Sequence, residues 1–126
     1  MGDSRCYSLR GGDLTQITRD QTIAQELVDS GSLTQTVASR TRWANVLSSS
    51  IGGEQAAPVV TRVTRDWGNV VLRCSDGLTT HVSDERIQER LAAVTDARET
   101  CELLVEDALE AGGTDNVTVI VGRSVR

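Results

Sequence analysis

The sequence predicts an α+β fold, in which antiparallel strands and helices occupy separate parts of the chain. Strand-like segments follow one another in hairpins and helical segments are grouped, whereas a doubly wound α/β sheet would alternate them regularly. The chain has 126 residues, the size of one domain, and 38% of them are hydrophobic. Because Phe is absent, we expect a core of Val, Leu, Ile and Ala. Residues 1–126 are therefore expected to form a single domain.

The N-terminal segment predicts a β-hairpin followed by a helix. Residues 4–10 and 14–18 are strand-like and flank a Gly-Gly-Asp turn at residues 11–13. Residues 22–30 are predicted to be helical, and Gly31 ends the helix. The apolar residues that recur at helical spacing are Ile23, Ala24, Leu27 and Val28.

The central segment predicts mainly strands and turns. Residues 34–39 suit a short helix, and residues 46–51 suit a strand. Two more strands are predicted at residues 59–64 and 69–75, where β-branched residues are frequent. A turn is expected between them at residues 65–68.

The C-terminal segment predicts two helices and a last strand. Ser83 is suited to the N-cap of the first helix, because acidic residues that favour a helix N-terminus follow it. Asp96 and Glu99 resemble a capping box for the second helix. Residues 116–121 are apolar and β-branched, so we expect a central strand that is covered on both faces.

Charge and hydropathy exclude several classes of function. The net charge is −5, and the 13 basic residues, all Arg, are scattered along the chain. Nucleic-acid binding is therefore not expected. The sequence has no apolar run long enough to span a bilayer and no signal-like N-terminus. We expect a cytoplasmic protein that does not interact with membranes.

Cysteine and histidine are too few and too dispersed for a zinc cluster or a disulfide framework. The three cysteines are Cys6, Cys74 and Cys101, and His81 is the only histidine. Cys74 and Cys101 lie in apolar patterns that indicate core packing. A Cys–His nucleophile pair is an alternative, but no spacing places His81 beside a thiol.

Three carboxylates share a position at the end of a predicted strand. Asp3 and Asp115 directly precede strands, and Asp76 directly follows one. Each has small neighbours that leave space for backbone, water or a ligand. Oxygen ligands without a histidine cluster suit Mg²⁺ or Mn²⁺. The alternative is ordinary turn chemistry, since Asp beside Gly or Asn is common in turns.

The sequence resembles the C-terminal portion of the bacterial metal-dependent protein phosphatases of the type 2C family. The similarity covers almost the whole chain. It is carried by five segments in the order of that family: "GDSRCYSLRGGDLTQITRD", "TIAQELVDSGSLT", "NVLSSSIGG", "VLRCSDGLTTHVSDERI" and "GGTDNVTVIV". The resemblance implies part of an α-β-β-α sandwich of antiparallel sheets flanked by helices.

The resemblance also implies a reaction and a set of metal ligands. Family members hydrolyse phosphoserine and phosphothreonine esters of phosphoproteins, using a water activated by two or more Mg²⁺ or Mn²⁺ ions. By this resemblance Asp76 would bridge toward the catalytic metal pair, and Asp115 would hold one of its ions. Asp3 would belong to a weaker, additional metal site. The Asp76 and Asp115 carboxylates should then face a common, solvent-open site.

Some elements of the family pattern do not occur in these 126 residues. The N-terminal part of the family carries an Arg, a Glu-Asp pair and an Asp-Gly, which supply a phosphate-binding arginine and further metal ligands. Gln21 also stands where many members have His. We therefore expect the isolated chain to be weakly active or inactive. We further expect either a homo-oligomer or association with a complementing N-terminal half.

Two alternatives to an enzyme remain open. The first is a catalytically silent, phosphatase-like module that binds a partner or associates with itself. The second is a plain α+β binding domain without a metal, and Mg²⁺ or Mn²⁺ would not raise the melting temperature of such a domain.

Other polar and aromatic residues receive structural interpretations. A structural role is expected for Arg5, for example as an ion-pair partner of Asp3, in preference to phosphate binding. Trp43 and Trp67 are expected to be local hydrophobic anchors, and the alternative for Trp43, beside Arg42, is a flap surface that contacts substrate. His81 is expected on the surface at the entry of a helix, without a catalytic role. Ser48, Ser49 and Ser50 lack the context of a serine nucleophile.

Overall fold

The structure is a computed structural model that describes residues 1–64 and 66–126. These residues fall into two units. One unit comprises Arg5–Thr18 and Arg62–Arg126, and the other comprises Met1–Ser4 and Arg19–Thr61. We call them the sheet unit and the helical unit. The single domain expected over residues 1–126 stays a prediction.

The sheet unit is built on four antiparallel strands. They are β1 (Arg5–Arg10), β2 (Asp13–Gln16), β3 (Val70–Cys74) and β4 (Val119–Arg123). Their spatial order is β2-β1-β3-β4. Tyr7 pairs with Leu72, and Leu72 pairs in turn with Val121, so these side chains lie in one row on one face. The predicted hairpin and the predicted strand at residues 69–75 are confirmed, with bounds shifted by one or two residues.

Two helices cover that face and close the core. They are α4 (Asp84–Ala92) and α5 (Ala97–Glu110). The largest fully buried side chains are Tyr7, Leu72, Leu78, Ile87, Leu91 and Leu104. The expected aliphatic core is thus present, but Tyr7 adds an aromatic ring to it. Cys74 is also buried there, as its apolar surroundings predict.

Side-chain caps define where both helices begin. The Ser83 hydroxyl accepts a hydrogen bond from the backbone N–H of Arg86. The Asp96 carboxylate accepts from the N–H groups of Arg98 and Glu99. Each cap satisfies backbone donors that have no partner within the helix. Both predicted N-caps are therefore confirmed.

The buried Tyr7 hydroxyl joins β1 to α4. Arg5 donates to it from Nη1 at 3.0 Å, and the hydroxyl donates to Oδ1 of Asp84 at 3.0 Å. Burial raises the pKa of Tyr7 well above its usual range, against the opposing effect of the Arg5 guanidinium. Arg5 thus has a structural contact in the sheet unit, in keeping with the structural role predicted for it.

Asp107 joins α4 to α5 through two arginines. Its carboxylate accepts two hydrogen bonds from Arg90 at 2.8 Å and two from Arg86 at 3.1 Å. Hydrogen bonds from Arg90, followed by those from Arg86, lower the pKa of Asp107 to about 2, although burial acts in the opposite direction.

The helical unit contains two short helices, α1 (Ile23–Asp29) and α2 (Gln35–Ala38). Thr22 and Thr34 cap them. The buried Gln21 connects segments of this unit, because its Oε1 accepts from the N–H of Gly2 and its Nε2 donates to the carbonyl of Ala57. Both predicted helices are confirmed.

Two predicted strands are wrong. Residues 46–51 contribute only an isolated bridge between Leu47 and Thr22, and residues 59–64 form no strand within the described part of the chain. Val59 and Val60 are 68% and 91% exposed. A β-branched sequence favours extended backbone, but a strand also needs a neighbouring strand that accepts its hydrogen bonds.

The position predicted for the last strand is also wrong. β4 lies at an edge of the sheet, next to β3, and not at its centre. Val119 and Val121 pack against the core, whereas Ile120 on the other face is 61% exposed. The continuous apolar run indicated burial on two faces, but the described helices of the sheet unit cover only one of them.

The predictions for the tryptophans and for the turn have mixed outcomes. Trp67 is 65% exposed, so it is not a buried anchor. Trp43 is 39% exposed, and the Arg42 guanidinium lies 5.1 Å from the centre of its ring. Arg65, in the predicted turn, lies outside the described residues.

Among the described helices, none has both the length and the apolar content needed to cross a membrane.

Candidate metal-binding site

Asp76 lies where β3 ends and a single helical turn begins. This turn is α3 (Asp76–Thr79), with Ser75 at its N-cap position. The sequence predicts only a Ser-Asp-Gly turn here, and the chain instead completes one helical turn. Asp76 is half-buried, whereas Gly77 and Leu78 directly after it are buried. The buried Leu78 anchors the turn in the core and leaves Asp76 at its edge.

Asp115 lies on the loop between α5 and β4. Gly112 and Gly113 end α5 with φ values of +134° and +54°, which only glycine adopts readily. Asp115 follows them and is exposed. One of its carboxylate oxygens, Oδ1, accepts a hydrogen bond from the N–H of Asn116 at 2.7 Å. This bond reaches only the next residue, whereas the Asx hydrogen bond of the alternative, ordinary turn chemistry, reaches two residues on.

Ser75 connects the segment of Asp76 to the segment of Asp115. Its backbone N–H donates to the carbonyl of Thr118 at 3.0 Å, and its hydroxyl accepts from the N–H of Thr118 at 3.0 Å. The same hydroxyl donates to the carbonyl of Asn116 at 3.3 Å. Three hydrogen bonds therefore join the two segments beyond the end of the β3–β4 ladder.

Gly77 lets the two segments approach closely. A Cβ atom at this position would lie 2.2 Å from the carbonyl oxygen of Asn116 and 2.9 Å from its carbonyl carbon. Non-bonded carbon and oxygen atoms do not approach to such distances. A glycine is therefore required directly after Asp76, because the backbone of Asn116 leaves no space for a Cβ atom there. A positive φ is not the reason, since Gly77 does not have one.

The structure brings two of the three predicted ligand segments together. Asp76 and Asp115 flank the contact between Gly77 and Asn116, within the sheet unit. Asp3 belongs to the helical unit, next to Gly2, whose N–H is bound by Gln21. No group of three or more His, Cys, Asp or Glu residues that could hold a metal ion occurs in residues 1–64 and 66–126.

The donor set fits part of a site for a hard divalent cation. Carboxylate oxygens are the ligands that Mg²⁺ and Mn²⁺ prefer, and two of them lie on adjoining segments. Two carboxylates do not complete the coordination of a dication, whose remaining positions need water or further ligands.

Two residues of this region make contacts that the local sequence does not predict. Ser75 was assigned only to the end of a strand, although a hydroxyl before Asp-Gly is a common local hydrogen-bonding residue. His81 reaches Thr114, which lies 33 residues further along the chain. No local pattern carries the signal for that contact.

No family model matches the sequence. The chain is 43% identical over 121 residues to the serine/threonine protein phosphatase PstP of Mycobacterium tuberculosis, and the match covers 96% of this chain and 23% of PstP. It is 34% identical over 120 residues to the protein phosphatase PhpP of Streptococcus pneumoniae, with 94% of this chain and 49% of PhpP covered.

Solved structures agree with the sequence matches. A crystal structure of M. tuberculosis PstP superposes with a TM-score of 0.92 at 40% identity, covering 100% of this chain and 53% of that chain. The homologues of this chain are bacterial serine/threonine protein phosphatases of the type 2C family. The resemblance to the type 2C family and the predicted α+β fold class are confirmed. The chain spans about half the length, or less, of the curated type 2C relatives that it matches.

One type 2C structure bears on the choice of metal. The catalytic domain of PstP was solved in complex with two manganese ions, and this chain superposes on it with a TM-score of 0.86 at 42% identity. The match covers 100% of this chain and 52% of that domain. The manganese ions are a property of that protein, and they agree with the preference predicted from oxygen donors.

Proposed function

We propose that this chain contributes to a metal-dependent serine/threonine protein phosphatase, with Asp76 and Asp115 as two of its metal ligands. The observation that supports the proposal most directly is the contact between Gly77 and the Asn116 carbonyl, which brings the segments of both carboxylates together. Similarity to bacterial phosphatases over 94–96% of the chain supports the reaction class.

The residues of this chain would hold and orient the ions. Asp76, on the first turn after β3, would bridge toward the metal pair, and Asp115 would hold one ion. When bound, the Mg²⁺ or Mn²⁺ ions supply the polarisation of a phosphoryl oxygen and the activation of a water for in-line attack. The water oxygen bonds to phosphorus as the ester P–O bond to serine or threonine breaks. No covalent intermediate with the protein is needed.

Asp3 is proposed, by resemblance, as a ligand of a further and weaker ion. Its neighbour Gly2 is fixed by the backbone and the side chain of Gln21, which gives this segment a defined conformation within the helical unit. If Asp3 serves a separate ion, Asp3→Ala should weaken Mn²⁺ binding less than Asp76→Ala does. Equal losses in a titration would contradict this division of roles.

We propose that the chain needs a second polypeptide, or a second copy of itself, for full activity. Two carboxylates leave a metal pair with too few ligands, and the arginine that would align the phosphate is not among these residues. The uncovered face of the sheet offers a place for such a partner. It forms a groove of about 730 Å³, whose lining includes Val71, Ile120 and Trp67. A complementing N-terminal half fits the family pattern better than a second copy of this chain does.

The experiment measures Mn²⁺-dependent release of phosphate from a phosphothreonine peptide. The purified chain alone should be nearly inactive, and a matching N-terminal half supplied separately should restore turnover. Loss of metal ligands, or loss of the arginine that aligns the phosphate, typically costs about two orders of magnitude in rate. The restored activity should disappear with Asp76→Asn and persist with the control Arg98→Ala, because the Arg98 side chain is 88% exposed on α5, away from the groove. Full activity of the chain alone would refute the need for a partner.

A catalytically silent, phosphatase-like module is the second candidate. The observation that favours it is the lack of a three-ligand cluster in the described residues. Such a module would bind a partner without phosphate release, even when the N-terminal half is present. If, in addition, neither Mg²⁺ nor Mn²⁺ raised the melting temperature, the metal-free binding domain would be the correct interpretation. The cytoplasmic location stays a prediction, which cell fractionation would check.

A further inference from the structure

His81 lies between α3 and α4, and its ring contacts the loop that carries Asp115. The Nε2 atom of His81 is 2.8 Å from Oγ1 of Thr114 and 3.2 Å from the backbone nitrogen of the same residue. Both residues belong to the sheet unit. The sequence assigns His81 only a surface position at the entry of a helix, and that position does not explain these two contacts.

The two contacts determine which ring nitrogen carries the proton. A backbone N–H can only donate, so Nε2 must accept the bond from Thr114. Nε2 is then unprotonated, and the proton of the neutral ring lies on Nδ1. The Thr114 hydroxyl, 2.8 Å away, then donates to the same Nε2 lone pair and shares it with the backbone N–H.

The His81 ring also packs against Gly112, which lies two residues before Thr114. A Cβ atom at Gly112 would lie 3.4 Å from Cε1 and 3.5 Å from Nδ1 of His81. Gly112 is also the residue with φ of +134° at the end of α5. The imidazole therefore lies against the loop at Gly112 and binds it at Thr114, so it contacts the two ends of the short segment that leads into Asp115.

Asp115 is thus fixed from both directions along the chain. On its C-terminal side, the Asn116 carbonyl packs on Gly77 and accepts from Ser75. On its N-terminal side, the only histidine of the sequence binds Thr114. We propose that His81 is a positioning residue that holds the α5–β4 loop so that Asp115 is presented beside Asp76. The proposal rests on the proposed function insofar as it treats Asp115 as a metal ligand.

The test compares two substitutions of His81 in the 126-residue chain with a neighbouring control. His81→Leu keeps apolar bulk against Gly112 but removes the acceptor. His81→Gln keeps an acceptor, since the side-chain amide oxygen extends about as far from the backbone as Nε2 does. Thr80→Leu is the control, because Thr80 is exposed and adjoins His81 in sequence.

The first measurement needs no metal. Nitrogen chemical shifts of the His81 ring should identify the tautomer with the proton on Nδ1. Hydrogen exchange of the Thr114 amide should become roughly two- to tenfold faster in His81→Leu, the effect of losing one hydrogen bond. It should stay within about twofold of the parent in His81→Gln and Thr80→Leu. Unchanged exchange in His81→Leu, or a ring protonated on Nε2, would overturn the proposal.

The second measurement uses Mn²⁺ alone, followed through the paramagnetic broadening of amide signals. Loss of the contact should weaken Mn²⁺ binding roughly tenfold in His81→Leu, with recovery in His81→Gln. If Asp115→Asn weakens binding and His81→Leu does not, His81 is not a positioning residue. If Asp115→Asn has no effect, the proposed ligand role of Asp115 fails, and the exchange of the Thr114 amide still decides whether His81 holds the loop.

Discussion

Replacing Gly77 with alanine should separate the two segments that carry Asp76 and Asp115. The added Cβ would lie 2.2 Å from the Asn116 carbonyl oxygen, whereas ordinary contacts begin at 3.4 Å. The difference between these distances requires a displacement of about 1.2 Å. The atom it meets belongs to the backbone, so a change of side-chain rotamer cannot relieve the contact. We expect the loop of Asp115 to move away from α3.

Two effects of opposite sign determine the stability of this variant. Overpacking in a well-packed region costs about 1–3 kcal/mol, and the weakened bond between Ser75 and Asn116 adds up to about 1 kcal/mol. Alanine in place of glycine within a helix returns up to about 1 kcal/mol. The steric term is the larger, so the free energy of unfolding should fall by about 1–2 kcal/mol. For a chain of this length the melting temperature would then fall by roughly 3–8 °C.

Urea unfolding and Mn²⁺ titration of Gly77→Ala would check both consequences. Gly122→Ala is a matched control, because a Cβ there would have no neighbour within 4 Å, and it should leave both quantities nearly unchanged. A displacement of about 1 Å exceeds the tolerance of metal–ligand distances, so Mn²⁺ affinity should fall roughly tenfold. Parental stability and parental Mn²⁺ affinity in Gly77→Ala would refute the steric argument.

Three further predictions concern the helix pair, the tyrosine and the uncovered sheet face. The free energy of unfolding should fall by about 1–2 kcal/mol as the pH drops from about 4 to about 2. The reason is that the pKa of Asp107 is about 2 in the folded chain and near its ordinary value in the unfolded chain. In denaturant titrations at these pH values, Asp107→Asn should lack this loss of stability. Tyr7 is the only tyrosine, and its raised pKa favours the folded state until the pH exceeds the usual phenol pKa of about 10. Ultraviolet absorbance should therefore show no phenolate at pH 10 until the chain unfolds, and early ionisation would contradict the burial of the hydroxyl. Light scattering should show self-association of the chain at high concentration that Ile120→Arg reduces, and a stable monomer would contradict a role for this face in assembly.

The sequence was most informative where a local interaction determines structure. Ser83 and Asp96 were predicted as N-caps because capping depends on residues only a few positions away. Gly31, whose φ is +76°, was predicted to end the first helix for the same reason. These features hold irrespective of how the rest of the chain packs.

The sequence was least informative where a distant neighbour determines structure. Residues 59–64 have the composition of a strand but lack a neighbouring strand in the described structure, and β4 is apolar enough for a central strand but lies at an edge. The contact between His81 and Thr114 depends on packing across the whole sheet unit. Composition and spacing along the chain do not show which distant segments become neighbours. That information lies in the order of the strands and in the packing around them.

The strand order also explains why the two segments that carry Asp76 and Asp115 adjoin, although they are far apart in sequence. β3 and β4 run antiparallel, and Cys74 at the end of β3 pairs with Val119 at the start of β4. The residues that follow β3 must therefore lie beside the residues that precede β4, and Ser75 extends the pairing to Thr118. A shift of this register by two residues would move the two segments apart by about 7 Å. The contact between the segments of Asp76 and Asp115 is thus a consequence of β3–β4 pairing, and the close approach at Gly77 adds to it at short range.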